Sequence, residues 1–109
     1  MKHFIWVSFD LGVKGDYEGM YAWLDSKDAK ECGDSVGCFL YEHQSSDLLE
    51  DIKQDIRANV ELDEKKSRIY VIRLVKGKMK GSFVFGHRRN PPWAGFGATG
   101  EDAEDSSNE

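Results

Sequence analysis

The sequence of 109 residues contains few of the residues that mark several classes of protein. Its two cysteines, Cys32 and Cys38, are too few for a disulfide framework, which predicts reduced thiols and a cytoplasmic location. No histidine converges on them in the sequence, so we expect them to pack in the interior rather than to bind a metal. No run of about 18 apolar residues occurs, which predicts a protein without a membrane-spanning helix.

Acidic residues are missing from one long segment and concentrated in another. Residues 65–89 contain nine Lys and Arg side chains and no acid, whereas residues 101–109 contain five acids and no base. Such a basic segment can bind the phosphates of RNA or DNA. It also fits an edge hairpin whose lysines prevent pairing with another sheet, and this is the interpretation we favour. The candidate nucleic-acid-binding residues are Lys76, Lys78, Lys80, Arg88 and Arg89.

Alternating and helical hydrophobic patterns predict a mixed α+β chain. The predicted strands are residues 3–10, 29–32, 35–41, 68–75 and 82–85. One helix is predicted to begin after Asp16, and a second after Ser45 or Ser46. The predicted buried stripe of the first helix is Tyr17, Met20, Tyr21 and Leu24, with Trp23 outside it. The second helix is expected to bury Leu48 or Leu49, Ile52 and Ile56.

This order of elements predicts a ferredoxin-like β-α-β-β-α-β sandwich over residues 1–89, with an extra C-terminal strand. Residues 90–109 are predicted to form a Pro/Gly/Trp segment and a flexible acidic tail. Two helices would cover one face of the sheet. The other face would carry Phe4, Trp6 and members of the set Phe39, Tyr41, Tyr70 and Ile72. So much exposed aromatic surface predicts a homodimer formed across a two-fold axis.

Residues 87–96 combine basic side chains with prolines and aromatic rings. Trp93 and Phe96 could stack on bases while the neighbouring arginines hold phosphates. Alternatively, the segment is a docking peptide that packs on a partner's sheet edge, which is the interpretation we favour. With Phe4 and Trp6, these two aromatic residues are therefore the candidate partner-binding residues.

Several short motifs resemble a known superfamily. They are Phe9-Asp10-Leu11 at the end of the first strand, Asp16-Tyr17 at the start of a helix, Ser35-Val36, and residues 68–74. Over residues 3–86 the chain resembles the small ferredoxin-fold CRISPR-associated integration subunit and the virulence-associated protein D superfamily. The resemblance implies a homodimer in which the aspartate that ends the first strand binds a divalent metal and supports phosphodiester cleavage. Only Asp10 matches that aspartate.

The chemistry of Asp10 leaves two interpretations open. By strand parity it shares a face with Phe4 and Trp6, so two copies meeting there would need a cation between their carboxylates. Mg²⁺ suits such a site and activates water. Together with the resemblance, which implies phosphodiester cleavage, this makes Asp10 the candidate metal-binding and catalytic residue of a Mg-dependent endonuclease or endoribonuclease. The plainer interpretation is that Asp10 ends a strand and caps a loop. The alternative function is a non-catalytic dimeric module that recruits a protein partner through its C-terminal tail.

Overall fold

A computed structural model describes residues 2–97 of the chain. Within them the elements follow in the order β1 (Lys2–Asp10), α1 (Tyr17–Ser26), β2 (Lys30–Glu31), β3 (Val36–Glu42), α2 (Leu48–Asn59), β4 (Arg68–Val75) and β5 (Lys78–Phe85). The strands form one antiparallel sheet in the spatial order β2-β3-β1-β4-β5. The predicted mixed α+β class is confirmed. The predicted flexible tail lies outside the described residues, apart from residues 90–97.

Both helices pack on the same face of the sheet. Buried and more exposed residues alternate along β1, so the buried ones all point to that face. Ile5, Val7 and Phe9 are buried, and they join Ile69 and Val71 of β4 in one hydrophobic core. The helices contribute Met20, Trp23, Leu48, Ile52 and Ile56 to that core. Burying side chains of this size supplies about 1.5–3 kcal/mol each. Phe39 and Tyr41 of β3 also lie in this core, so the members of the predicted set that belong to the opposite face are Tyr70 and Ile72.

The opposite face of the sheet, called the open face below, carries no helix from residues 2–97. The cross-strand pairs Phe4–Leu40, Trp6–Ile72, Ser8–Tyr70 and Tyr70–Phe83 fix which side chains share it. Its members are Phe4, Trp6, Ser8, Asp10, Cys38, Leu40, Arg68, Tyr70, Ile72, Leu74, Met79, Gly81 and Phe83. Asp10 therefore shares a face with Phe4 and Trp6, as the strand parity predicted.

Helix α1 turns a different side toward the sheet from the one predicted. Met20 and Trp23 are its buried residues, and Tyr21 is exposed. Trp23 packs edge-on against Phe39, with 5.5 Å between the ring centroids. The large indole ring takes the core position, so the prediction that Trp23 lies off the stripe and Tyr21 on it is wrong.

Helix α2 begins at a different residue from the one predicted. Its N-cap is Asp47, whose side chain accepts a hydrogen bond from the backbone N–H of Glu50. The hydroxyl of Ser45 instead donates a hydrogen bond of 2.8 Å to the Asp51 carboxylate, and it accepts one from the backbone N–H of Asp47. Ser45 thus supports the first turn from outside. The predicted stripe of Leu48, Ile52 and Ile56 is confirmed.

Strand β5 is twice as long as predicted, since it begins at Lys78 rather than at Ser82. Lys76 and Gly77 both have positive φ angles, 53° and 79°, and they join β4 to β5 in a two-residue turn. Positive φ at both central residues is the geometry of a tight hairpin turn with the twist of the flanking strands. Residues 78–81 contain two lysines and a glycine, which is why the sequence predicted that the strand begins only at Ser82.

Candidate functional site

Asp10 stands at the end of β1, where the chain leaves the sheet on the open face. Its side chain is half-exposed, and its Oδ1 accepts a hydrogen bond of 3.1 Å from the backbone N–H of Gly12. Gly12 has a φ of +81°, which glycine adopts at little cost. Asp10 therefore caps the loop after β1 through Oδ1, and its other carboxylate oxygen, Oδ2, is left for charged side chains.

Two arginines approach that second oxygen. Arg68 pairs directly with Asp10 across β1 and β4, and its Nη2 lies 3.7 Å from Asp10 Oδ2. The Nη2 of Arg89 lies 3.6 Å from the same oxygen. All three side chains are partly exposed, so each ion pair contributes little to stability. The three groups together carry one excess positive charge, which favours an anionic ligand over a lone cation.

The floor beside these groups is aromatic. Tyr70 and Phe83 pair across β4 and β5, and their rings meet edge-on with centroids 4.8 Å apart. The guanidinium of Arg88 lies over both rings, 5.8 Å from the centroid of Tyr70 and 5.9 Å from that of Phe83. A cleft of about 280 Å³ opens here. This cleft is called the arginine cleft below. It is lined by Ser8, Asp10, Arg68, Tyr70, Phe83 and Arg88.

Two glycines give the arginine cleft its shape. At Gly81 a Cβ would overlap the hydroxyl and ring of Tyr70, so the absence of a side chain leaves room for that ring over β5. At Gly86 the φ is +80°, and a Cβ there would meet the carbonyl oxygen of Ser67. This turn directly follows β5 and brings Arg88 and Arg89 back over the open face.

The predicted nucleic-acid-binding residues are divided between two places. Lys76 lies in the hairpin turn, and Lys78 and Lys80 follow it at the start of β5. Arg88 and Arg89 come after the other end of that strand, and the eight residues of β5 span about 23 Å. The sheet therefore brings the two arginines to Asp10 and leaves the three lysines at the hairpin.

The end of the open face remote from Asp10 is apolar. Phe4 pairs with Leu40, and Leu74 pairs with Met79. These four side chains, called the apolar row below, are 41–59% exposed. The ring of Trp6 packs edge-on against that of Phe4, with 4.9 Å between the ring centroids. An exposed cluster of large apolar side chains on a sheet face is typical of a protein contact.

The other two predicted partner-binding residues lie after the sheet. Trp93 and Phe96 are each 71% exposed. A turn held by the hydrogen bonds Ala94 N–H to Pro91 carbonyl and Phe96 N–H to Trp93 carbonyl connects them. Their docking onto a partner stays a prediction.

The loop between β1 and α1 is fixed by Asp16, which was correctly predicted to cap α1. One carboxylate oxygen accepts from the N–H of Gly19 at 2.9 Å, and the other accepts from the N–H of Glu61 at 2.9 Å. These two hydrogen bonds, that of Glu61 first, lower the pKa of Asp16. Asp16 thereby ties the start of α1 to the segment after α2, and this anchors the loop next to Asp10.

Sequence reasoning singled out Asp10, Arg88 and Arg89 but did not connect them with Arg68 and Phe83. The signal was available in part, because parity along β4 places Arg68 and Tyr70 on one face. The metal hypothesis for Asp10 receives little support from its neighbours, since no group of three or more His, Cys, Asp or Glu side chains arranged to hold an ion occurs in residues 2–97.

No helix within the described part of the chain is long and apolar enough to cross a membrane. Comparison with known proteins found no matching family model, no matching curated protein and no matching solved structure.

Proposed function

We propose that the chain binds single-stranded nucleic acid, RNA or DNA, in the arginine cleft of its open face. The observation that carries the proposal is a cluster of three arginines at this end of the open face. Arg68 and Arg88 line the cleft together with Tyr70 and Phe83. Arg89 lies beside Asp10, another of the lining residues. Guanidinium groups bind phosphates through paired hydrogen bonds, and aromatic rings accept the faces of bases. A single strand offers both groups at once, because its bases are not enclosed in a duplex.

Arg88 covers the two rings in the absence of a ligand, so its displacement must cost less than base stacking gains. A cation–π contact at an exposed site is worth about 0.5–1 kcal/mol. Stacking of one base on an aromatic side chain is worth about 1–3 kcal/mol. Arg88 is exposed and follows the turn at Gly86. It can therefore leave the rings and bind a phosphate beside the base that replaces it.

We also propose that the fold is ferredoxin-like. The neighbouring order β4-β1-β3-β2, all antiparallel, with β5 added at one edge, supports a ferredoxin-like arrangement. We infer that the chain is a stand-alone relative of the CRISPR-associated and virulence-associated protein D proteins. The motifs that carry this inference are those around Asp10 and Asp16.

We also propose that two copies associate through the apolar row. A two-fold axis would place the same exposed residues of each copy against each other, as isologous interfaces require. Phe4 and Leu74 would then be buried in the dimer. The arginine cleft lies at the opposite end of the strands, so substitutions in the two regions can be tested separately.

Metal-dependent cleavage is the second candidate function, and one observation favours it. Asp10 is half-exposed at the end of β1 and already lies beside cationic groups that would hold a phosphodiester. This function requires a contact between copies other than the apolar row, one that brings two Asp10 carboxylates together. Mg²⁺ would then be the fitting ion, because it binds carboxylates together with phosphate oxygens and water. The test is incubation of labelled RNA and DNA with wild type and Asp10→Asn, with Mg²⁺ or with a chelator. Identical products from both proteins would exclude cleavage that depends on Asp10 and would leave the binding proposal intact.

The binding proposal is tested by fluorescence anisotropy with labelled single-stranded RNA, single-stranded DNA and duplex DNA over a range of salt concentrations. Three guanidinium–phosphate contacts predict a slope of about −2 in a plot of log K against log salt concentration. Tighter binding to the single strands than to the duplex is expected. Absence of binding to all three at low salt would refute the proposal and would favour the module that recruits a protein through its tail.

A further inference from the structure

The hairpin formed by β2 and β3 holds the two cysteines against each other. Cys32 Sγ lies 3.3 Å from Cys38 Sγ, and its thiol donates a hydrogen bond to that sulfur. Cys32 is exposed and Cys38 is half-buried, so the prediction that both cysteines pack in the interior is wrong. Two thiols at this separation need only a small approach to reach the bonding distance of a disulfide, about 2.05 Å.

The register of the hairpin explains why the sulfurs meet. Lys30 pairs with Cys38. The N–H of Cys32 donates a hydrogen bond of 2.8 Å to the carbonyl oxygen of Val36. Cys32 and Cys38 are thus diagonal neighbours on the same face of a two-stranded ribbon, within reach of each other's side chains. Strand β2 has only two residues and gives way at once to a turn in which Gly33 has a φ of +140°. The backbone at Cys32 can therefore adjust by the remaining distance.

We propose that Cys32 and Cys38 form a reversible intramolecular disulfide by exchange with a low-molecular-weight disulfide, and that this pair is a redox-modification site of the protein. The proposal is independent of the function proposed above. Cys38 pairs directly with Trp6 across β3 and β1. The modification therefore occurs at the edge of the open face.

The exchange proceeds in two balanced steps. The thiolate of Cys32, the more accessible sulfur, attacks one sulfur of the external disulfide; a protein–small-molecule disulfide forms and one small thiol leaves with a proton. The Cys38 thiolate then attacks Cys32 Sγ, forming the protein disulfide and releasing the second small thiol. The protein loses two electrons and two protons, and the external disulfide is reduced to two thiols.

The electrostatics of the pair make this reaction dependent on pH. The hydrogen bond to Cys38 is the main cause that raises the pKa of Cys32 above the usual value for cysteine. At neutral pH Cys32 is therefore mostly the protonated thiol, which is unreactive, and only its thiolate fraction attacks. The rate of the first step should rise roughly tenfold per pH unit between pH 7 and pH 8.

The test is to incubate the reduced full-length chain with mixtures of glutathione and glutathione disulfide, then to measure intact mass and free thiols. The chain has only these two cysteines, so the mass identifies the product. We expect loss of both thiols and a monomer lighter by about 2 Da, with at least tenfold less glutathione adduct than this product. Reduction should restore both thiols.

The variants Cys38→Ser and Cys32→Ser complete the experiment. Cys38→Ser should stop at a stable glutathione adduct, because nothing resolves it, and Cys32→Ser should react at least fivefold more slowly since its remaining thiol is half-buried. Circular dichroism establishes that each variant is folded. A persistent adduct on the folded wild-type chain, or a disulfide-linked dimer as the main product, would overturn the proposal.

Discussion

Arg88 lies beyond β5 and Tyr70 lies in β4, yet the guanidinium of Arg88 is 5.8 Å from the centroid of the Tyr70 ring. The contact joins a residue beyond the last strand to the middle of the sheet. It exists because the turn at Gly86 directs the chain back over the open face. This placement gives the arginine cleft a cation and an aromatic floor in the same position.

Arg88→Ala should weaken binding of a single-stranded oligonucleotide about fivefold to twentyfold, because a phosphate contact is lost. It should also make the salt dependence shallower by about 0.7 in log–log slope. Fluorescence anisotropy at several salt concentrations measures both quantities. Arg73→Ala is the matched control, since Arg73 lies on β4 but on the other face of the sheet. Equal losses in the two variants would show that only overall charge matters.

Gly81→Ala should impair the arginine cleft without removing any of its functional groups. The new methyl group would overlap the Tyr70 ring, so the ring must move away from its place beside Phe83. We expect a loss of affinity of about threefold to tenfold with an unchanged far-ultraviolet circular dichroism spectrum. Ser82→Ala, at the next position of β5 and on the opposite face, should leave affinity unchanged. If Gly81→Ala also bound as wild type does, the Tyr70 ring would have no part in binding.

Leu40→Lys combined with Leu74→Lys should abolish self-association. Both side chains are exposed members of the apolar row, so the charges would meet their copies across a two-fold axis. Sedimentation velocity should show wild type as a dimer and this variant as a monomer, with a dissociation constant raised at least a hundredfold. Val13→Lys, a fully exposed residue in the loop after β1, is the control and should remain dimeric. A monomeric wild type at high concentration would refute the dimer.

Asp16→Ala should lower the melting temperature at neutral pH by about 4 °C or more, because the cap of α1 and the link to Glu61 are lost together. The pKa of Asp16 is lowered in the folded chain, so its stabilising effect is present above the ordinary value of 3.8. That effect is lost as the pH falls below 3.8 through the folded pKa.

Thermal melts of wild type and Asp16→Ala between pH 7 and pH 2.5 measure this change. The difference in melting temperature should shrink in the acid range. Asp34→Ala, exposed in the turn between β2 and β3, provides the comparison, and we expect little effect from it at neutral pH. A difference for Asp16→Ala that stayed constant down to pH 2.5 would contradict the role of its charge.

Local patterns were sufficient to predict much of the sheet. The bounds of β4 were predicted to the residue, and the parity of β1 placed Asp10 with Phe4 and Trp6 correctly. Strong alternation of β-branched residues carries that information within a single segment. The side of a helix that faces the sheet is decided between segments. Trp23 rather than Tyr21 is buried because of its fit to Phe39, which no pattern inside α1 reveals.

The candidate site depended even more on contacts between distant segments. The pairing of Tyr70 with Phe83 depends on the register that the turn at Lys76 and Gly77 sets between β4 and β5. The approach of Arg89 to Asp10 requires the positive φ of Gly86. Neither feature has a periodic signature in the sequence. The sequence shows Gly86 shortly before Arg88 and Arg89, but not the direction in which the chain turns.

Nuclear magnetic resonance gives the most direct test of the claim that the arginine cleft binds a single strand. Backbone amide signals of the ¹⁵N-labelled chain would be followed while a short single-stranded RNA is added at low salt. The account predicts the largest shifts at Ser8, Asp10, Arg68, Tyr70 and Phe83, with small shifts in the hairpin at Lys76–Lys80. Shifts confined to that hairpin, or no shifts at all, would contradict it.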